Sequence, residues 1–245
     1  MDIDSIFKQI KFDIKPSDDY RKAYLFRFKK GLSKLINLDK KFTFNNCILE
    51  KDTENINLKN SLLKIDSMST YAIGHLVNQI CLRLSENQIY LNIGCWKGFT
   101  LVAGMIETSC KVIGVDNFSQ FDGPKNEFYS NFQRYQNKQK HFFYDEDYKI
   151  FFKNFEKENE RVSFYYYDGE HSYKNQYENL CIADYFLDKG SIIFIDDINF
   201  SEVENGTKDF LSTTSSNYKV LKEIKTANNH CHPSFWNGII ILEKL

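Results

Sequence analysis

The sequence predicts one doubly wound α/β domain: a mainly parallel, seven-stranded sheet with helices on both faces, preceded by a helical N-terminal extension. Three observations carry that expectation. Short apolar runs alternate with stretches of helical periodicity from residue 67 onward, a glycine turn follows the first run, and an aspartate closes the second.

The bulk numbers bound the function before any motif is read. At 245 residues the chain can bury a sizeable core as a single domain. Its 32 Lys and Arg nearly cancel its 33 Asp and Glu, so no basic excess draws it to a phosphate backbone, and nucleic acid is not expected as a partner. The six cysteines, Cys47, Cys81, Cys95, Cys110, Cys181 and Cys231, form no CxxC pair, and the polar start carries no signal peptide. Free thiols and a cytoplasmic setting are expected. No apolar run approaches the roughly 20 residues that span a bilayer, so no membrane role is expected.

Residues 1–66 read as an extension: a basic amphipathic stretch from Tyr20 to Leu38, then a polar region from Asp39 to Asn60 with few strand signals. Residues 67–245 read as the domain proper. A helix over Ser67–Leu84, capped by Ser67 or Ser69, leads into it. Strands follow at Ile89–Ile93, Lys111–Val115, His141–Tyr144, Val162–Tyr167, Ser191–Ile195, Tyr218–Leu221 and Gly238–Leu242. Helical stretches such as Phe99–Glu107 and Tyr173–Leu187 separate most of them, and Asn205–Asn217 reads as a loop or short helix.

In such a sheet, ligands bind beyond the carboxyl ends of the strands. The first strand ends at Asn92-Ile-Gly94-Cys-Trp-Lys-Gly98. Gly94 permits a sharp turn and Gly98 lets a helix start approach a ligand closely. Asp116 ends the second strand, where a carboxylate can accept hydrogen bonds from both hydroxyls of a ribose. A dinucleotide site needs a glycine between these two, to admit pyrophosphate, and here bulky Trp96 and Lys97 hold that place. S-adenosylmethionine carries no phosphate and fits the turn better.

On these residues the region Ile89–Asn199 resembles the Rossmann-like class I S-adenosylmethionine-dependent methyltransferases. It is most similar to the small-molecule and sugar O-methyltransferases of the macrocin and aminocoumarin tailoring type. The resemblance implies that Gly94 and Gly98 flank the methionine part of the cofactor, that Asp116 holds the ribose and that Asp147 approaches the adenine. Asn117, beside the ribose acid, and Asp168 are counted with the cofactor contacts. Asn92 departs from the family, which usually places Glu or Asp there, near the cofactor's ammonium.

The fourth strand ends in Asp168-Gly-Glu-His-Ser-Tyr173 and the fifth in Asp196-Asp197-Ile-Asn199. Parallel strands open on one edge, so Asp168, Asp196 and Asp197 can converge, and three carboxylates repel unless neutralised. A hard divalent cation such as Mg²⁺ or Mn²⁺ would do this and bind acceptor oxygens; the three positions also match the metal ligands of the resembling enzymes. The alternative is that these carboxylates cap helices or are solvated. A base must take the acceptor's proton. His171 is the first candidate and Glu170 the second; otherwise His171 merely caps the helix near Tyr173.

His230-Cys-His232 has metal-capable side chains but no partner motif for zinc, and a wall of the acceptor pocket is its better reading. The turn-rich segment Asn117–Pro124 reads as a cover for the cofactor or a frame for the acceptor entrance. The expected activity is methyl transfer to a hydroxyl of a small molecule, a sugar or nucleotide-activated sugar by resemblance. The alternatives are a metal-independent N- or O-methyltransferase and, from another class, a nucleotide-sugar binding or oxidoreductase domain. A homo-oligomer through the N-terminal extension is a further expectation.

Overall fold

The computed structural model describes residues 1–18, 38–227 and 231–245, with the side chains of residues 38–40 left aside. The first layer is the extension: α1 (Ile3–Lys8), β1 (Ile10–Phe12), α2 (Leu38–Asn46), β2 (Cys47–Leu49) and α3 (Ile56–Leu62). The domain follows with α4 (Tyr71–Cys81), β3 (Ile89–Ile93), α5 (Phe99–Met105), β4 (Lys111–Val115), α6 (Lys125–Tyr135), β5 (His141–Tyr144) and α7 (Tyr148–Phe155). It ends with β6 (Val162–Tyr167), α8 (Tyr173–Phe186), β7 (Leu187–Asp196), α9 (Ser201–Thr213), β8 (Tyr218–Ile224) and β9 (Ile239–Lys244).

The seven-stranded sheet has the order β5-β4-β3-β6-β7-β9-β8. Strands from β5 to β7 pair in parallel, and β9 is antiparallel to both β7 and β8. The expected mainly parallel α/β sheet is therefore present, with one reversed strand near an edge. The chain winds outward from β3 through β4 to β5, then returns to β6 on the other side of β3. This reversal opens a crevice at the carboxyl ends of β3 and β6.

Each central strand alternates its side chains between two cores. Tyr90, Val112, Phe164 and Phe194 face α4 and α5 on one side, while Leu91, Ile113, Tyr165 and Ile193 face α7, α8 and α9 on the other. Each fully buried apolar side chain contributes roughly 1.5–3 kcal/mol, so both faces must stay covered. Three consecutive tyrosines survive burial in β6 because each hydroxyl has a partner: Tyr165 donates to Asn179 Oδ1, Tyr166 to Asp196 Oδ2 at 2.6 Å and Tyr167 to the Glu170 carbonyl at 3.2 Å.

Several boundaries differ from the sequence reading. Thr70, rather than Ser67 or Ser69, caps α4, its hydroxyl accepting from the Ile73 N–H. The helix of α9 occupies the first part of the segment expected as a loop or short helix, and β7 begins at Leu187. The extension contains a two-stranded ribbon, with Ile10 opposite Leu49 and Phe12 opposite Cys47; each strand is only three residues long, too short for periodicity to reveal. The basic stretch Tyr20–Leu38 falls, except for Leu38, outside the described residues. No helix among the described residues is long and apolar enough to cross a membrane.

Candidate active site

The turn after β3 is built by backbone geometry. Gly94 has φ +81°, and a Cβ there would stand 1.9 Å from the Asp168 carbonyl oxygen, so the turn packs directly on the end of β6. Gly98 has φ +92° and starts α5. Between them Trp96 is also left-handed, at φ 46°, a conformation that costs a bulky residue energy unless its surroundings hold it. Asp116 does the holding. Its Oδ2 accepts from the N–H groups of Cys95 and Trp96, each at 2.8 Å, and its Oδ1 accepts from the Phe118 N–H at 2.7 Å.

Asn92 braces the same turn from beneath. Fully buried, it accepts from the Thr100 hydroxyl at 2.8 Å through Oδ1 and donates to the Gly94 carbonyl at 3.1 Å through Nδ2. Its amide is thereby committed to the protein, and its side chain lies under the cavity rather than along the wall.

A cavity of about 350 Å³ runs along the carboxyl ends of the strands, within the size range of small-molecule sites. Gly94, Asp116, Asn117 and Asp147 line it on the β3–β5 side, and Asp168, His171 and Asp197 on the β6–β7 side. Asp147 also caps α7, accepting from the Lys149 N–H at 2.8 Å. The Asn117–Pro124 segment supplies a wall, with Phe118 anchored 5.4 Å from the Phe128 ring centre. Both tryptophans of the chain, Trp96 and Trp236, line this cavity.

On the second side, one donor atom from each of Asp168, His171 and Asp197 comes within 4.8 Å of the others. His171 Nε2 lies 2.8 Å from Asp197 Oδ2 and 3.6 Å from Asp168 Oδ1. The ring stacks on Phe200, with centroids 5.4 Å apart and planes at 20°. Burial works against a charge on this imidazole, but hydrogen bonds and charge from Asp168 and Asp197 outweigh it and push its pKa up to about 10. Burial raises Asp168 above the ordinary carboxylate range, opposed by the His171 hydrogen bond and aided by the charge of Asp197.

Asp196 does not join this group. Its Oδ2 accepts from Tyr166, and its Oδ1 accepts from the Asp197 N–H at 2.9 Å. Burial, followed by the charges of Asp197 and Asp168, drives its pKa well upward. The strand pleat explains the split: Asp196 still belongs to β7 and points with Phe194 toward the α4 side, whereas Asp197 leaves the strand at φ 61° and turns to the cavity. Glu170 is exposed, its carboxylate taken by the Asn175 amide. Ser172, not His171, caps α8.

Two carboxylates and one imidazole make a chemically suitable donor set for a divalent cation such as Mg²⁺ or Mn²⁺, with Asp168 and Asp197 as hard oxygen ligands. His171 must shed its proton to become the third. The residues the sequence reading passed over are Phe200, Trp236 and Asn237. The Asn237-Gly238 dipeptide is a turn signal that could have marked the last of these, but nothing local ties it to Asp197. His232 is buried in that turn, its Nδ1 2.7 Å from the Ser234 hydroxyl, and burial lowers its pKa to about 4; His230 lies outside the described residues.

Residues 91–198 match a family described as a methyltransferase domain. No curated protein matches the chain. Among solved structures, an O-methyltransferase from Bacillus cereus in complex with SAH superposes with a TM-score of 0.59 at 13% identity, covering 78% of this chain and 92% of that one. A putative O-methyltransferase from Klebsiella pneumoniae gives 0.58 at 13% identity over 78% and 90%. The O-methyltransferase TomG of Streptomyces achromogenes, involved in tomaymycin synthesis and solved with SAM, gives 0.56 at 8% identity over the same shares. Residues 91–198 thus match a methyltransferase-domain family, and the chain shares its fold with these solved O-methyltransferases.

Proposed function

We propose that the protein is an S-adenosylmethionine-dependent O-methyltransferase of a small hydroxylated molecule, of the sugar class, assisted by a divalent cation held by Asp168, His171 and Asp197. One observation carries the proposal: a single cavity joins the Gly94 turn and Asp116 to the Asp168–His171–Asp197 cluster. A cofactor seated at the first and an acceptor at the second would meet within it. The sugar class comes from the sequence resemblance alone.

The residues divide the work. The Gly94–Gly98 turn receives the methionine part of the cofactor, Asp116 the ribose, and Asp147 with the Asn117–Phe121 wall the adenine side. A bound divalent cation would supply positive charge that lowers the pKa of an acceptor hydroxyl. His171 holds a proton at Nε2 between two carboxylates, so that nitrogen accepts another proton only after giving up the first. As a metal ligand through Nε2 it could not also be the base there, which leaves exposed Glu170 at the cavity rim for that role.

A second reading has its own observation. The imidazolium of His171, 2.8 Å from Asp197, already neutralises part of the acidic charge, so a metal-independent methyl transfer is compatible with the same cluster. A screen with labelled S-adenosylmethionine against free sugars, nucleotide-activated sugars and catechols, each with chelator or Mn²⁺, decides. The proposal expects label in a sugar only with metal. Transfer undiminished by chelator selects the second reading, and label only in catechols overturns the sugar class.

A further inference from the structure

We infer that Asn237, in the turn leading into β9, is a positioning residue that sets the Asp197 carboxylate against His171; this rests on reading Asp168, His171 and Asp197 as the reaction centre. Asp197 is 40 residues away in sequence, yet Asn237 Nδ2 donates to its Oδ1 at 2.5 Å. The other oxygen, Oδ2, faces His171 Nε2 at 2.8 Å. The terminal torsion of an aspartate is soft. Two donors, one on each oxygen, fix it.

The direction of the Asn237 amide follows from its other partner. Its Oδ1 accepts from the Cys231 N–H at 3.1 Å, and only an oxygen can accept there, so the NH₂ group must face Asp197. The backbone adds a second tie, the Asn237 carbonyl accepting from the Asn199 N–H at 2.8 Å. Gly238, at φ +84°, lets the turn run this close: a Cβ would stand 2.5 Å from Asn199 Oδ1.

The turn that carries Asn237 is itself held in place. His232 and Trp236 exchange two backbone hydrogen bonds, each 3.1 Å. The Thr70 hydroxyl donates to the Ser234 carbonyl at 2.5 Å, and Asn46 Nδ2 donates to the Pro233 carbonyl at 3.1 Å. The extension, through Asn46, and the start of α4, through Thr70, thus anchor the turn, and the turn aims a buried donor at a buried carboxylate. Asn237 lies beyond residues 91–198, so this control of the centre comes from the part of the chain outside the matched family domain. With Asn237 truncated, Oδ1 of Asp197 is left without its charge-assisted bond and the carboxylate rotates away from His171.

The test uses the full chain without acceptor. In ¹⁵N-histidine spectra of the wild type, the His171 Nε2–H is expected to be protected from exchange, and in Asn237→Ala that protection is expected to vanish. Mn²⁺ affinity by calorimetry is expected to fall about tenfold to a hundredfold, as for residues that orient metal ligands, with S-adenosylmethionine affinity within about twofold of wild type. Wild-type values for both the His171 signal and Mn²⁺ binding in the variant would overturn the inference. Should Asn237→Ala fail to fold, the wild type alone decides: Asn237 side-chain amide protons exchanging as freely as a surface amide would equally overturn it. If the wild type binds no Mn²⁺, the metal part of the proposed function fails, while the His171 signal still judges Asn237.

Discussion

The two halves of the cavity are made in different ways. On the β3–β5 side the work is done by backbone: a glycine turn, a left-handed tryptophan and three N–H groups gathered on one carboxylate, Asp116. On the β6–β7 side it is done by side chains from distant positions, Asp168, His171, Asp197 and Asn237. A backbone site tolerates almost no change in shape, nor in the one side chain, Asp116, that gathers its donors. A side-chain site keeps its fold under substitution and loses orientation or charge instead.

The backbone half is most sensitive at Gly94. Gly94→Ala puts a Cβ 1.9 Å from a main-chain oxygen in a left-handed conformation, and the expected cost is on the order of 4 kcal/mol or more, read as a lowered urea midpoint. Near-wild-type stability would show that the turn is not the rigid element described. Asp116→Ala comes next, removing the acceptor of three backbone donors. A loss of about 3 kcal/mol in stability and of about a hundredfold in S-adenosylmethionine affinity is expected from charge-assisted bonds, measured by denaturation and calorimetry.

The side-chain half responds to pH. Because the His171 pKa is raised to about 10, this ring keeps its proton at neutral pH, and a cation taking Nε2 must displace it. Mn²⁺ affinity is therefore expected to rise about tenfold per pH unit between about pH 7 and 9, from the release of one proton per ion. A flat profile would remove His171 from the ligand set.

The smallest effect is expected at Asn92. Asn92→Asp loses the Nδ2 donor to the Gly94 carbonyl and buries a carboxylate, costing about 1–3 kcal/mol, with S-adenosylmethionine affinity little changed. A marked gain in affinity would instead place this position against the cofactor's ammonium, as in the resembling enzymes.

The same contrast explains what was legible in the sequence. The strand, glycine turn, helix and strand-end acid of the β3–β5 half lie within 28 consecutive residues, Ile89–Asp116, and local periodicity reveals them. Asp168 and Asp197 were legible as strand-end acids. Asp196 was not separable from Asp197, because only the pleat and the φ 61° kink send one to Tyr166 and the other to the cavity. Asn237, Phe200 and Trp236 reach the site through tertiary packing, and no spacing announces them. The ribbon in the extension pairs Ile10 with Leu49 across a long separation, which local pattern likewise cannot foresee.

A crystal structure with S-adenosylhomocysteine bound would show whether the two halves of the cavity serve one reaction. The ribose hydroxyls are expected on Asp116, the homocysteine beside Gly94 and Gly98, and the sulfur facing Asp168, His171 and Asp197. A ligand seated elsewhere, or with its sulfur turned away from that cluster, would contradict the proposed function.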